Sequence, residues 1–188
     1  MAGNPAPPAP RFSDIDLALV VARAQSGHVA LLDRVLRAVQ GPLHRHVRAL
    51  VSDADLADDV LQDVLWTIAR SLAQLRDARW FRPWAYRIAT RAALRRTHAE
   101  RRWRDALRDE ELSLLEAPLV EFSFDAEEAR AIVEQIDSLS PASAVVVRMH
   151  YVEEMAFQEI AEALEIPIGT VKSRVAYGLS TLRRRLSV

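Results

Sequence analysis

With 188 residues the chain has room for one medium domain or two small ones, and 50% hydrophobic with 27% charged residues is the balance of a soluble folded protein. It has no cysteine, which excludes disulfides, thiolate zinc sites and thiol catalysis and fits a reducing cytoplasm. The formal net charge of −1 conceals a segregation: positions 79–108 hold ten arginines against Glu100 and Asp105, whereas positions 109–137 hold ten acidic residues against Arg130 alone, so only the first block suits phosphates.

The opening MAGNPAPPAP lacks the basic and apolar regions of a signal peptide, and its prolines predict a disordered arm over 1–13. No apolar run is long enough to predict insertion into a membrane. Residues 14–25 read as a short helix with Leu17, Val20, Val21 and Ala24 on one side, ended by Ser26-Gly27. Helix resumes over 29–39, with Leu32, Val35, Leu36 and Val39 in register. Gly41-Pro42 is expected to break the chain again before another helix over 43–51.

Residues 53–75, DADLADDVLQDVLWTIARSLAQL, say more. Leu56, Val60, Val64, Ile68, Leu72 and Leu75 define a buried stripe. Asp58, Asp59 and Gln62 lie on the other side, Asp63 at its edge, and Trp66 projects from that same outer face. Acidic residues early in a helix suit its dipole, but that does not account for an outward tryptophan beside them. An exposed aromatic next to charge marks a protein interface.

After a polar break, Phe81, Trp84, Ala85, Ile88, Ala89 and Ala92 form the next helical stripe. Tyr86, Arg87, Thr90 and Leu94 are expected to look away from it, with Arg91 and Arg95 on its flank. Rings that stack on bases, interleaved with guanidinium groups, suit single-stranded DNA; spacing alone favours a core position for Phe81 and Trp84, and the arginines stay outside in either case. The acidic stretch 105–125, with Pro118 and no helical stripe, reads as a linker. Ala129, Ile132, Val133 and Ile136 then share a face, and Ser140-Pro141 supplies an N-cap and a first helical residue for the following helix.

The last stretch, YVEEMAFQEIAEALEIPIGTVKSRVAYGLSTLRRRL, reads as two helices and a tight turn. Phe157, Ile160, Ala161 and Leu164 form one apolar face. Glu165-Ile166-Pro167 interrupts it, and Val171, Val175, Leu179, Leu182 and Leu186 form a second stripe. The opposite face carries Ser173, Tyr177, Ser180 and Arg184, flanked by Lys172 and Arg174. Periodicity fits both an ordinary helical hairpin and a helix-turn-helix, whose second helix enters the DNA major groove. Thr170, Lys172, Ser173, Arg174 and Tyr177 are then the candidate DNA contacts, with Arg184 further along.

No glycine-rich phosphate loop, no G-x-S-x-G and no H-E-x-x-H occurs, and His44 and His46 fall on different helix faces. No enzyme, metal or cofactor is predicted.

FQEIAEALEIPIGTVKSRV closely resembles the promoter-reading domain of bacterial sigma factors of the extracytoplasmic-function (ECF) type, departing where those proteins often have Gly at the turn (Glu165) and a basic residue after KSR (Tyr177). ADDVLQDVL resembles their segment that docks on the clamp helices of the polymerase β′ subunit; Asp59, Gln62 and Asp63 occupy the contact positions. FRPWAYRIA is similar to the segment that reads and opens the promoter −10 element, although the family usually continues with Asn and later Asp or Asn where this chain has Arg91 and Arg95. The resemblance implies an all-α protein of two small helical domains joined by an acidic linker. Residues 14–104 would bind β′ and, through Arg87, Arg91 and Arg95, the −10 region; residues 126–188 would bind the β flap and read the −35 element. The linker would follow the RNA exit path. Core RNA polymerase and promoter DNA are the implied partners, with room for an anti-sigma factor. A helix-turn-helix regulator that does not act as a sigma factor is the alternative, and an adaptor that binds only protein is a third class.

Overall fold

The computed structural model describes residues 14–97 and 135–186. The predicted arm, the acidic linker and the predicted helical face of Ala129, Ile132 and Val133 lie outside them.

The chain folds where its periodicity and caps direct it. Helix α1 (Asp14–Gln25) ends at Gly27, whose φ of +93° suits a residue without a Cβ. The Gln25 amide then donates to the carbonyls of Leu72 (2.9 Å) and Leu75 (2.6 Å), tying α1 to a distant turn. Helix α2 runs unbroken from Val29 to Leu50 with Pro42 inside it. This corrects the expected break at Gly41-Pro42. Val35, Val39, Leu43, His46 and Val47 continue one buried stripe across the proline. Burial on both sides of the site outweighs the local loss of one backbone donor.

Helix α3 (Ala54–Ser71) begins where the Asp53 carboxylate accepts the Leu56 N–H at 2.8 Å. It buries Ala57, Val60, Leu61, Val64 and Ile68. Helix α4 (Phe81–Arg96) packs against both α2 and α3. Tyr86, Thr90 and Leu94 are buried rather than outward, because α4 is covered on more than one face. The His46 imidazole meets the Thr90 hydroxyl at 2.8 Å, which itself donates to the Tyr86 carbonyl, and packs edge-on against the Tyr86 ring. Burial and then the charge of Arg148 push His46 down to about 3, so it is neutral at pH 7.

The second group starts with α5 (Pro141–Tyr151), capped by Ser140 as its sequence predicts. Helix α6 (Phe157–Leu164) opens with the Glu159 carboxylate accepting the Ala156 N–H at 2.8 Å and ends at Glu165, in the left-handed region. Helix α7 (Ile168–Leu186) follows directly and packs on α5 and α6. Gly178 lets α7 approach α5 closely: a Cβ there would stand 2.8 Å from Val147 Cγ2 and 3.3 Å from Leu139 Cδ1. Gly178→Ala is therefore expected to lower stability by about 1–3 kcal/mol, outweighing alanine's helix propensity gain of about 1 kcal/mol. Gly169, with open space around it, should accept alanine without loss. Thermal melts of both variants test this, and an unchanged midpoint for Gly178→Ala would refute the tight α5–α7 contact.

The two groups are not separate in space. The broadest helix–helix contact among the described residues joins α4 to α6, and α2 also meets α5.

Candidate functional site

Three surfaces carry the residues singled out by the sequence. On α3, Asp59, Gln62 and Asp63 are exposed, and Trp66 is 68% exposed although it is a large apolar side chain. Arg96 reaches Asp59 at 3.6 Å and Asp63 at 3.7 Å, loose solvent-side pairs that a partner can displace readily. Beside Trp66 runs a groove of about 590 Å³ whose other wall is Val29, Leu32 and Leu36 of α2. Sequence reading assigned Leu32 and Leu36 to a helix stripe and missed their part, and that of Val29, in the groove. Val29 is 78% exposed, and that is visible only once α2 and α3 are side by side.

On α7, Lys172 and Arg184 are exposed, and Ser173 and Tyr177 are half-buried at the surface. Two expected DNA contacts are corrected. Arg174 is 0% exposed and Thr170 is 7% exposed. Both fall on the inner face with Val171, Val175 and Gly178, four-residue steps that bring them beneath the helix. The Ser173 hydroxyl donates to the Thr170 carbonyl at 3.1 Å.

On α4, Arg87, Arg91 and Arg95 do not form one open basic strip. Arg95 is exposed. Arg87 donates to the Glu162 carbonyl at 3.1 Å and its carboxylate at 3.4 Å. Arg91 makes a two-pronged pair with Glu165, at 3.0 and 2.6 Å. Nearby, Glu153 is buried between the groups. Arg45 holds its carboxylate at 3.0 and 3.2 Å, and Arg82 donates to its carbonyl. The Tyr86 hydroxyl faces the same carboxylate, and burial first and Glu153 second raise its pKa well above the usual phenol range. Glu153, Glu162 and Glu165 had no sequence signal of pairing, since their partners lie more than seventy residues away.

An all-helical chain whose second group presents α6, a tight turn and α7 has the arrangement of a helix-turn-helix protein with a further helical group. Residues 35–111 match the model of sigma-70 region 2, and residues 129–182 match that of sigma-70 region 4. The chain is 32% identical to the RNA polymerase sigma-E factor of Streptomyces coelicolor over 165 residues, covering 85% of this chain and 88% of that one. It is 28% identical to the ECF RNA polymerase sigma factor SigW of Bacillus subtilis over 142 residues, covering 69% and 75%. Its fold is similar to that of CnrH in complex with the cytosolic domain of CnrY, with a TM-score of 0.62 at 20% identity over 91% of this chain and 97% of that one. The chain belongs to the sigma-70 family of RNA polymerase sigma factors and is of the ECF type. It is a transcription initiation factor whose partners are core RNA polymerase and promoter DNA. No described helix is long and apolar enough to cross a membrane.

Proposed function

We propose a division of this role between the surfaces. The domain over 14–104 docks on the β′ clamp helices through Asp59, Gln62, Asp63 and Trp66. Arg87, Arg91 and Arg95 hold promoter DNA around the opened −10 region. The domain over 126–188 meets the β flap and reads the −35 element from α7, with Lys172 and Ser173 at base edges, Tyr177 one turn on and Arg184 at phosphate. The acidic stretch 105–125 links the two along the RNA exit path. The chain acts in the cytoplasm and performs no chemistry of its own; the polymerase and its metal do. An anti-sigma factor is a further partner, as NepR is for the sigma factor RpoE of Bartonella quintana.

The observation that carries this reading is the pairing, in one chain, of an outward Trp66 on an acidic helix face with an outward Lys172 at the start of α7. Purified chain added to core polymerase should support initiation from specific promoters. DNA binding without such initiation would instead make it a helix-turn-helix regulator. Within the promoter, Ser173→Ala or Lys172→Ala should relax preference at one −35 position by about 1–3 kcal/mol. Arg184→Ala should weaken all sequences alike and lower the salt slope by about one. Binding to a library of −35 variants at two salt concentrations separates these effects; an unchanged ranking of sites for both Lys172 and Ser173 variants would remove α7 as the reader.

A further inference from the structure

Two places where this sequence departs from the ECF pattern turn out to touch each other. Arg91 stands where an Asn is usual and Glu165 where a Gly is common, and these two form the two-pronged pair between α4 and the end of α6. Glu165 adopts φ 58° and ψ 45°, a left-handed backbone that glycine takes without steric penalty and glutamate does not. A strained residue persists when the surrounding contacts hold it there. The helix-end backbone bonds to the Ala161 carbonyl accompany it here, and the guanidinium of Arg91 grips its carboxylate. One turn earlier on α4, Arg87 engages Glu162, three residues before Glu165, so the two pairs are matched in spacing on both helices.

We propose that Arg91–Glu165, seconded by Arg87–Glu162, is a latch that closes the two domains on each other in the free protein and withholds Arg87 and Arg91 from DNA. The geometry explains how it would work. A guanidinium spent on two carboxylate oxygens cannot also clamp a phosphate, so closure and DNA binding by Arg91 exclude one another. Both pairs are at least partly open to water, Arg91 at 59% and Glu165 at 46% side-chain exposure, so salt and competing anions reach them. The Arg45–Glu153 pair, with its carboxylate buried, and the α4–α6 packing add the rest of the closing interaction. A nucleic-acid strand would compete for the same arginines and so favour the open state, and by reciprocity any change that opens the latch must raise affinity for the strand. In the closed state Arg87 also lines a cleft of about 410 Å³ with Ile166, Pro167 and Ile168 of the turn that leads into α7. That the ligand is promoter DNA rests on the proposed function; the closure itself does not.

The test reads interdomain distance in the full chain, without polymerase. The chain has no cysteine, so Arg70→Cys on α3 and Ser180→Cys on α7, both at exposed positions, accept one spin label each. The parent should show a dominant short distance at low salt and a longer one as salt rises. Glu165→Gln, which removes the charge but keeps a side chain on the left-handed backbone, should raise the open-to-closed ratio roughly two- to fivefold, the range of an exposed charged pair. Glu165→Gly should do the same while relieving the backbone. The double reversal Arg91→Glu with Glu165→Arg should restore the short distance that either single reversal loses. Free Glu165→Gln protein should also bind a single-stranded oligonucleotide more tightly by a similar factor. A distance distribution identical in parent and both Glu165 variants, with helix content retained, would overturn the latch. So would failure of the double reversal to close the domains. Absence of promoter-specific initiation in the reconstituted assay would instead overturn the assignment of the DNA partner and leave the distance result standing.

Discussion

Trp66→Ala is expected to weaken binding to core RNA polymerase by about thirtyfold or more, with no loss of thermal stability. The indole is 68% exposed in the free chain, so removing it takes little from the fold. Its neighbours Asp59, Gln62 and Asp63 are exposed polar groups, and the groove beside it is apolar on the side of Val29, Leu32 and Leu36. A rigid aromatic that fills a partner's pocket amid a polar rim is the residue type that dominates interfaces, and truncating such an anchor typically loses about 2 kcal/mol or more. That converts to the thirtyfold figure. Asp59→Arg should weaken the complex less, because an exposed charge at the rim of an interface acts mainly on association rate. Titration of labelled core polymerase with parent and variants, beside thermal melts, reads both quantities. An unchanged affinity for a folded Trp66→Ala protein would move the docking surface elsewhere.

Arg174→Ala is expected to destabilise the fold by about 2–5 kcal/mol while leaving the ranking of −35 sites as it was. Its sequence neighbourhood, GTVKSR, points to a base contact, yet among the described residues Arg174 is the largest fully buried side chain. Alanine would empty that volume. Lys172 and Ser173 stay at the surface. Arg174→Met, which keeps most of the volume, should recover part of the lost stability. Chemical denaturation of the three proteins, together with the −35 library, separates a structural role from a reading role. A shifted site preference in a fully stable Arg174→Ala protein would return this residue to the DNA interface.

Much of the architecture could be read from the chain before folding was considered. The Asp53 cap, the Ser140-Pro141 start and the stripe Val60, Val64, Ile68 are local signals, each acting within a few residues, and each appears in the structure as expected. The outward position of Trp66 follows from the same 3.6-residue geometry. Sequence similarity across both sigma-70 regions identifies the family, because residues 35–111 and 129–182 match the two region models.

Tertiary structure alone decided the rest. Tyr86, Thr90, Thr170 and Arg174 are amphipathic, with apolar stems and polar tips, so a periodicity that counts only apolar residues places them outside. They are inside because neighbouring helices cover a second face of α4 and the inner edge of α7. Pro42 stays within α2 because residues on both sides of it are buried together. The pairs Arg87–Glu162 and Arg91–Glu165 join segments 75 and 74 residues apart. Local sequence specifies helices, caps and motifs because their interactions are short-range. Which charges meet, and which polar groups are buried, depends on how those helices are brought together, and only the folded chain sets that.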